Sequence, residues 1–259
     1  MIYDLFMFGG YDLDLLEIRL ETLSEVVDKF IICEAPITHT LIPKSLVFLD
    51  NQSRFDKFKD KIVYVIAKCE HENPFINDWN YRNILFDKVP KHTKSTILTG
   101  DLDEIPNPEI LKYLTKNLKK PISLEVNYHF YCCDLFGRKD TSNILLENDW
   151  ITEDFYKYRD ARNSAFFGKI KNSGWHFSSC GKIENIINKW KAFAHSQDIL
   201  EKYKNPEYIK KQIKRKAGSW DENSPDNELK LVEHKYPLLP KYLLENKKRF
   251  EYLFYNYYK

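Results

Sequence analysis

Two carboxylates separated by a single residue follow a short apolar segment near the middle of the chain. Asp101 and Asp103 come directly after the apolar run Ser95–Thr99, and a proline follows them at position 106. Open α/β sheets bind ligands just beyond the carboxyl ends of their parallel strands. Two carboxylates at such a place offer hard oxygen ligands to Mg²⁺ or Mn²⁺, and an ion of this kind commonly holds substrate phosphates. The pair therefore predicts a metal-dependent enzyme that acts on a nucleotide-activated substrate.

An Asp-x-Asp pair alone is weak evidence, because the same tripeptide, Asp-Leu-Asp, also occupies positions 12–14. There it opens a segment whose apolar residues recur at helical spacing, namely Leu13, Leu16, Leu20, Leu23 and Val27. Carboxylates in a first helical turn bind free N–H groups and complement the helix dipole. We interpret the first pair as a helix cap. The position of the second pair after a buried strand is what indicates chemistry.

Composition excludes several classes of protein. The 40 Lys and Arg residues nearly balance the 38 Asp and Glu residues, so no basic field indicates a nucleic-acid partner. The first residues form no signal peptide, and no apolar run is long enough for a membrane span. The five cysteines are an odd number without a C-x-x-C pair, which favours reduced thiols. We therefore expect a soluble, cytoplasmic protein.

The elements that must position these residues follow an alternating pattern. Strands are predicted over residues 2–8, 29–33, 61–66, 95–99 and 122–131, the last antiparallel, and helices from residue 12, over 75–89 and over 108–118. This alternation predicts an α/β fold with a mostly parallel central sheet covered on both faces. From Ile183 the sequence is helical and lysine-rich, with a polar loop over 217–227 and a last helix over 241–254. We predict a single domain over residues 1–259, with an α/β core over 1–181 and a helical C-terminal part over 182–259.

Further sequence clusters accompany the second acidic pair. They are Asp14-Leu-Leu-Glu-Ile-Arg-Leu20, Cys33-Glu-Ala-Pro-Ile-Thr-His-Thr40, Trp79-Asn-Tyr-Arg82, Gly174-Trp-His-Phe-Ser-Ser-Cys180, Pro240-Lys-Tyr-Leu-Leu-Glu-Asn246 and Arg249-Phe-Glu-Tyr. In this order and spacing the sequence resembles glycosyltransferase family 17, from the first predicted strand to the last predicted helix. The resemblance implies a GT-A type nucleotide-sugar fold, a divalent cation, and transfer of a sugar from a UDP-sugar with inversion. The sugar would be GlcNAc or a related hexose, and the acceptor a hydroxyl group of a glycan. Animal members carry a membrane anchor that this sequence lacks, so we expect a bacterial or viral enzyme.

The resemblance also implies roles for residues within these clusters. Asp101 and Asp103 would anchor the metal ion and the diphosphate, and His176 would be a third metal ligand because an imidazole can bind Mn²⁺. Glu34 ends a predicted strand, where its carboxylate could accept hydrogen bonds from a ribose or a uracil. His39 follows in the next loop and would also contact the nucleotide.

Other roles stay open on the sequence alone. Arg82 would pair with the diphosphate, although Asp78, four residues earlier, offers it an ordinary salt bridge. Glu104 could hold either the water shell of the metal ion or a backbone N–H group. Trp175 could stack on a sugar ring or simply pack in the core. An inverting transfer also needs a general base. The acidic candidates are Glu125, Asp149, Asp154, Asp221 and Glu222, and among them we choose Asp221, in the loop between two predicted helices.

Two other functional classes compete with a glycosyltransferase. A sugar-nucleotide pyrophosphorylase uses a related sheet and an acidic metal site, but it begins with a Gly-rich, basic nucleotide loop. The sequence Gly9-Gly10-Tyr11 is not such a loop. A non-catalytic carbohydrate-binding relative is the other alternative, and the intact Asp101, Asp103 and His176 argue against it.

Overall fold

The computed structural model describes residues 1–68, 70–218 and 228–259. Within these ranges ten strands form one mixed sheet. They are β1 Ile2–Met7, β2 Lys29–Glu34, β3 Ile62–Ile66, β4 Thr96–Thr99, β5 Glu104–Pro106, β6 Ile122–Phe130, β7 Leu135–Glu147, β8 Gly168–Ile170, β9 Gly174–Ser178 and β10 Lys230–Leu231.

The sheet has a parallel half and a mixed half. Its strands follow the order β3-β2-β1-β4-β7-β6-β9-β5, with β8 paired to β6 and β10 paired to β7. The first four are parallel neighbours, so their carboxyl ends lie along one edge. β7 then runs antiparallel to both β4 and β6, whereas β9 runs parallel to β6. The predicted α/β class and the largely parallel central sheet are confirmed.

Eight α-helices accompany the sheet in the described residues. They are α1 Leu13–Leu23, α2 Val47–Asp50, α3 Pro74–Phe86, α4 Pro108–Asn117, α5 Phe155–Asp160, α6 Ile183–Ala192, α7 Pro206–Arg215 and α8 Lys241–Glu245. α3, α4 and α7 each begin at an Asn-Pro pair, in which the asparagine side chain accepts a backbone N–H of the first turn. Proline suits the first helical position because its φ is preset and its missing N–H would have no helical partner.

Alternate residues of the parallel strands supply two separate apolar layers. On β1, Phe6 packs with the buried face of α1, whereas Leu5 packs with the buried residues of α3. Both layers are buried, which explains why these strands read as continuous apolar runs. The helices on the two faces thereby hold the carboxyl edge of the sheet rigidly in place.

The structure differs from the sequence prediction near the C-terminus. The helix predicted over residues 241–254 ends at Glu245, and short 3₁₀ turns at Glu251–Leu253 and Tyr255–Tyr258 follow it. The long strand β7 was not predicted. In the part of the chain that the structure describes, no helix combines the length and the apolar character needed to cross a bilayer.

Candidate functional site

A cavity of about 490 Å³ lies beyond the carboxyl ends of β1, β2 and β4, between α3 and α6. Its lining includes five of the residues to which the sequence analysis gave candidate roles, namely His39, Arg82, Asp101, Asp103 and His176. These residues are far apart in the chain, and the strand ends bring them together. This is the edge at which an α/β sheet is expected to bind its ligand.

Asp101 lies in the acid loop, residues 100–103, which joins β4 to β5. Its backbone N–H donates to Glu104 Oε2 at 2.8 Å, so the Glu104 carboxylate holds a backbone N–H group, one of the two roles that the sequence left open. A side chain at Gly100 would collide with Asn143 and with the Glu104 carboxylate, so this turn requires glycine. The hydrogen bond to Glu104 and the glycine at position 100 therefore fix the conformation of this loop.

Two buried arginines neutralise this loop. Arg159 binds both carboxylate oxygens of Glu104 at 2.7 Å and lies 3.7 Å from Asp101 Oδ2. Arg82 binds Asp101 Oδ1 at 2.9 Å and Asp78 Oδ2 at 2.8 Å. Burial alone would raise the pKa of Asp101, but the two guanidinium groups outweigh it and hold that pKa well below its ordinary value. The low pKa keeps the Asp101 carboxylate ionised. Its side chain is 44% exposed, so a ligand can reach it.

Asp103 has different neighbours. Lys189 Nζ on α6 donates to Asp103 Oδ2 at 2.6 Å, while His176 Nε2 on β9 lies 3.8 Å from Asp103 Oδ1. On its other side, His176 Nδ1 lies 3.6 Å from Asp140 Oδ2. Burial alone would lower the pKa of His176, but Asp103 and Asp140 outweigh it and raise that pKa. The structure thus places His176 beside the acidic pair despite a long separation in sequence.

His39 lines the cavity from the loop after β2. Its ring packs edge-on against Tyr81 at 5.2 Å, and Nε2 lies 3.8 Å from Asp78 Oδ1. Burial lowers the pKa of His39, which favours the neutral imidazole. His39 Nε2 is buried and makes no hydrogen bond to the described chain. A ligand group could therefore pair with it.

Glu34 and Trp175 have internal roles. The Glu34 carboxylate accepts from Lys44 Nζ, from two backbone N–H groups and from Tyr64 OH, which fills its four acceptor positions. It ties the following loop to β3 instead of presenting a free oxygen to a nucleotide. Trp175 is 1% exposed, and its indole N–H donates to backbone carbonyls of Pro237 and Leu238. It is a core residue. Asp221, the base chosen from the sequence, lies outside the described residues.

The donor set allows one mode of metal binding. In residues 1–68, 70–218 and 228–259, no three His, Cys, Asp or Glu side chains form a metal cage. Mg²⁺ commonly takes only one or two protein carboxylates, however, and completes its shell with water and substrate phosphates. Asp101 and Asp103 suit that mode, and His176 Nε2 lies 3.8 Å from Asp103 Oδ1. The residues fit a metal ion that is shared with a phosphate ligand.

Sequence reasoning missed several polar residues of this site, among them Lys189, Arg159 and Asp12, all of which line the cavity. Lys189 belongs to a lysine-rich amphipathic helix, and its spacing resembles that of an exposed face. Arg159 lies on a helix of only six residues. Asp12 was correctly predicted to cap α1, since its side chain accepts from the N–H groups of Asp14 and Leu15. Because the capping role explained this residue in the sequence, its place in the cavity lining was not predicted.

The sequence of this chain matches a known protein family. The sequence model of glycosyltransferase family 17 matches residues 1–256. The chain is 24% identical to the human β-1,4-mannosyl-glycoprotein 4-β-N-acetylglucosaminyltransferase over 96% of its own length and 54% of that protein, and the rat and mouse proteins give the same identity and coverage. The chain thus spans about half the length of the curated relatives it matches.

Among solved structures, 4-diphosphocytidyl-2C-methyl-D-erythritol synthase aligns with a TM-score of 0.38 at 11% identity, over 67% of this chain and 88% of that one. Residues 1–349 of TarS from S. aureus align with a TM-score of 0.40 at 9% identity, over 78% of this chain and 68% of that one. The family assignment rests on the sequence match, which extends over nearly the whole chain. This chain belongs to glycosyltransferase family 17.

Proposed function

We propose that this chain is a glycosyltransferase that moves a sugar from a UDP-sugar to a glycan hydroxyl, with inversion and with Mn²⁺ or Mg²⁺ as cofactor. The observation that carries the proposal is the acidic pair Asp101 and Asp103 at the carboxyl end of β4, set among cationic side chains in one cavity. Because the matched human relative is named an N-acetylglucosaminyltransferase, we propose N-acetylglucosamine or a related hexose as the transferred sugar.

The donor diphosphate is proposed to bind at the acid loop. Asp101 and Asp103 would hold the metal ion, with His176 beside them. When bound, the ion supplies positive charge where the leaving diphosphate gains negative charge. Arg82 is held by Asp78 and reaches Asp101, so its guanidinium is positioned in advance for a phosphate contact. A positioned cation of this kind stabilises the leaving group without reorganising during the reaction.

The nucleoside is proposed to lie toward His39. The neutral imidazole and its unpaired, buried Nε2 offer one hydrogen bond to a polar group of the base or ribose. The wall of the cavity beside α3 is aromatic, because Trp79 stacks on Tyr156 at 4.9 Å and Trp79 also lines the cavity. Flat apolar faces of this kind suit sugar rings. The cavity therefore offers both a polar group and an aromatic face, which suit the nucleoside and the sugar of a nucleotide sugar.

The acceptor hydroxyl must lose its proton during transfer. Asp221 stays our proposed general base, and the loss of such a base typically slows a reaction about 10²- to 10⁴-fold. In an assay of sugar transfer to a glycan acceptor, Asp221→Asn should keep its affinity for UDP and lose most of its rate. A wild-type rate in that variant would assign the base to another carboxylate.

The proposed function is tested by binding and hydrolysis. A panel of UDP-, GDP- and TDP-sugars is titrated with and without Mn²⁺, and slow release of nucleotide is scored for each donor. We expect UDP-sugars to bind only with the metal ion. Asp103→Asn keeps the shape of the side chain and removes a charged ligand, so metal-assisted UDP affinity should fall about tenfold or more, the loss typical of one charged contact.

The matched control is Asp87→Asn, because the Asp87 side chain is 64% exposed and lies on the far end of α3. Its UDP affinity should equal that of the wild type. If Asp103→Asn also binds UDP and Mn²⁺ with wild-type affinity, the metal assignment is wrong. If no sugar nucleotide binds or is hydrolysed under any condition, a non-catalytic relative becomes the better description.

A further inference from the structure

The acidic pair is contacted from across the cavity by a helix of the C-terminal part of the chain. Lys189 lies on α6 and donates from Nζ to Asp103 Oδ2 at 2.6 Å. The Asp103 side chain is only 6% exposed, whereas that of Lys189 is 30% exposed. The ammonium group and the carboxylate therefore form an ion pair. One oxygen of the second aspartate is thus already occupied by a cation of the protein.

Lys189 differs from the two arginines of the site. Arg82 is held by Asp78 as well as by Asp101, and Arg159 is held by Glu104 and by a backbone carbonyl. Their side chains are 7% and 4% exposed. For Lys189, Asp103 is the one side-chain hydrogen-bond partner in the described chain. A lysine carries a compact charge on a flexible four-carbon stem, so it can change partner where a doubly held guanidinium cannot.

The position of Lys189 puts it in competition with a divalent ion. A metal ion that binds Asp103 places a second positive charge close to the ammonium group, and the repulsion between the two cations favours movement of the flexible lysine away from that carboxylate. A donor diphosphate brings new oxygens with a high negative charge into the same cavity. An ammonium group binds such phosphate oxygens by strong, charge-assisted hydrogen bonds.

We propose that Lys189 is a place-holding cation, which neutralises Asp103 in the free protein and moves to the donor diphosphate when that carboxylate takes up the metal ion. This inference rests on the proposed function and names the group that couples metal binding to donor binding. With metal ion and donor bound, Lys189 contacts the diphosphate. In the free site, Lys189 competes with the metal ion for Asp103.

Removing the charge should therefore shift two affinities in opposite directions. Without Lys189 the buried Asp103 has lost its cation, so Mn²⁺ alone should bind severalfold more tightly. The diphosphate has lost one charge-assisted hydrogen bond, so UDP at saturating Mn²⁺ should bind about tenfold more weakly. A lysine with a merely structural role would not produce opposite shifts.

Lys189→Met is the test variant, and calorimetry measures MnCl₂ binding without nucleotide and then UDP binding at saturating MnCl₂. Lys189→Gln is made in parallel, because its amide can still donate to Asp103 if the methionine variant does not fold. Lys189→Arg keeps the charge and should stay closer to the wild type in both titrations. Lys191→Met removes an exposed lysine from the same helix and should change neither affinity.

Opposite shifts in the neutral Lys189 variants, absent from Lys191→Met, support the proposal. Affinities that both fall, or that both stay at the wild-type value, overturn it. If the wild type binds UDP with Mn²⁺ and the variants bind it equally well, the role of Lys189 fails and the proposed function stands. If the wild type binds UDP with no divalent cation, the proposed role of Lys189 and the proposed metal-dependent function both fail.

Discussion

The two oxygens of a single carboxylate, that of Asp12, have different surroundings. Oδ1 accepts from the N–H groups of Asp14 and Leu15 at 3.0 and 2.9 Å and so caps α1. Oδ2 is buried and makes no hydrogen bond within the described chain. The backbone passes close to Oδ2 at Gly181, where φ is +154°. A Cβ atom at this position would lie 2.8 Å from Oδ2, so glycine is required there. Burial raises the pKa of Asp12 to about 7.

This raised pKa makes stability depend on pH. Between the ordinary pKa of an aspartate, about 3.9, and the folded value, the folded protein binds a proton that the unfolded chain has released. The free energy of unfolding therefore falls as the pH rises across that interval, and the stabilising effect of the proton is lost above about pH 7. Burial of an unpaired charge is thus unfavourable at neutral pH.

We expect Asp12→Asn to be more stable than the wild type at high pH. Asparagine caps a helix as well as aspartate and carries no charge, so the variant keeps the cap and loses the buried carboxylate. Since one pKa unit corresponds to about 1.4 kcal/mol, the gain at about pH 8 should be about 1 kcal/mol or more, and it should vanish at about pH 4. Urea unfolding across this pH range measures it. An equal loss of stability at every pH would contradict the pKa assignment.

At the scale of elements, one guanidinium group joins β1, α1 and the acid loop. Arg19 on α1 binds both oxygens of Asp4 on β1 at 2.7 and 2.8 Å, and both side chains are fully buried. Arg19 Nη1 also donates to the carbonyl oxygens of Asp101, Leu102 and Glu104. Arg19 therefore supports the site without itself lining the cavity.

We expect Arg19→Met to be strongly destabilising. Methionine fills a similar volume but leaves Asp4 buried without a partner, and breaking a buried pair in this way typically costs about 3–5 kcal/mol. The double variant Asp4→Leu with Arg19→Met removes both charges, so urea unfolding should show that much of the stability returns. UDP affinity at saturating Mn²⁺ should be below the wild-type value in both the single and the double variant, because the carbonyl groups of the acid loop have lost their donor. Wild-type UDP affinity in the double variant would show that the loop holds its shape unaided.

The parallel half of the sheet was predictable because burial on both faces gives continuous apolar runs, such as Phe30–Cys33. The strand β7 was not predictable, because its first nine residues read Leu-Phe-Gly-Arg-Lys-Asp-Thr-Ser-Asn, a mostly polar sequence that favours a loop. Pairing with β6, the preceding strand, and with β4, which is distant in sequence, makes it a strand. Local propensity cannot predict an element that tertiary contacts impose.

The same limit applied to the site. Asp101 and Asp103 could be singled out because a strand and an acidic pair are adjacent in the sequence. Lys189 could not, because its role depends on how α6 lies across the cavity, and helical spacing carries no information about that. Ion pairs between distant elements, such as those of Arg159, are likewise absent from any local pattern.

At the scale of the whole molecule, the last segment of the chain holds the helix that supports the site. Leu243, Phe250 and Leu253 are fully buried in the layer that also contains the apolar face of α1. Tyr242 OH donates to Glu17 Oε1 at 2.7 Å. Arg249 binds the same carboxylate at 2.6 Å. The C-terminal segment thus fixes α1, and α1 carries Arg19.

We expect Leu243→Ala to lower stability without changing the site. Removing a fully buried leucine typically costs about 2–5 kcal/mol, because transfer free energy is lost and a cavity is left. Leu200→Ala is the control, since Leu200 is 55% exposed, and an exposed change of this kind typically stays within about 0.5 kcal/mol. Thermal unfolding measures both variants. UDP affinity at low temperature should be unchanged in both, because the ion pairs of the acid loop do not include Leu243. A Leu243→Ala variant that folds fully but binds UDP more weakly would instead show that displacement of α1 reaches the acid loop through Arg19.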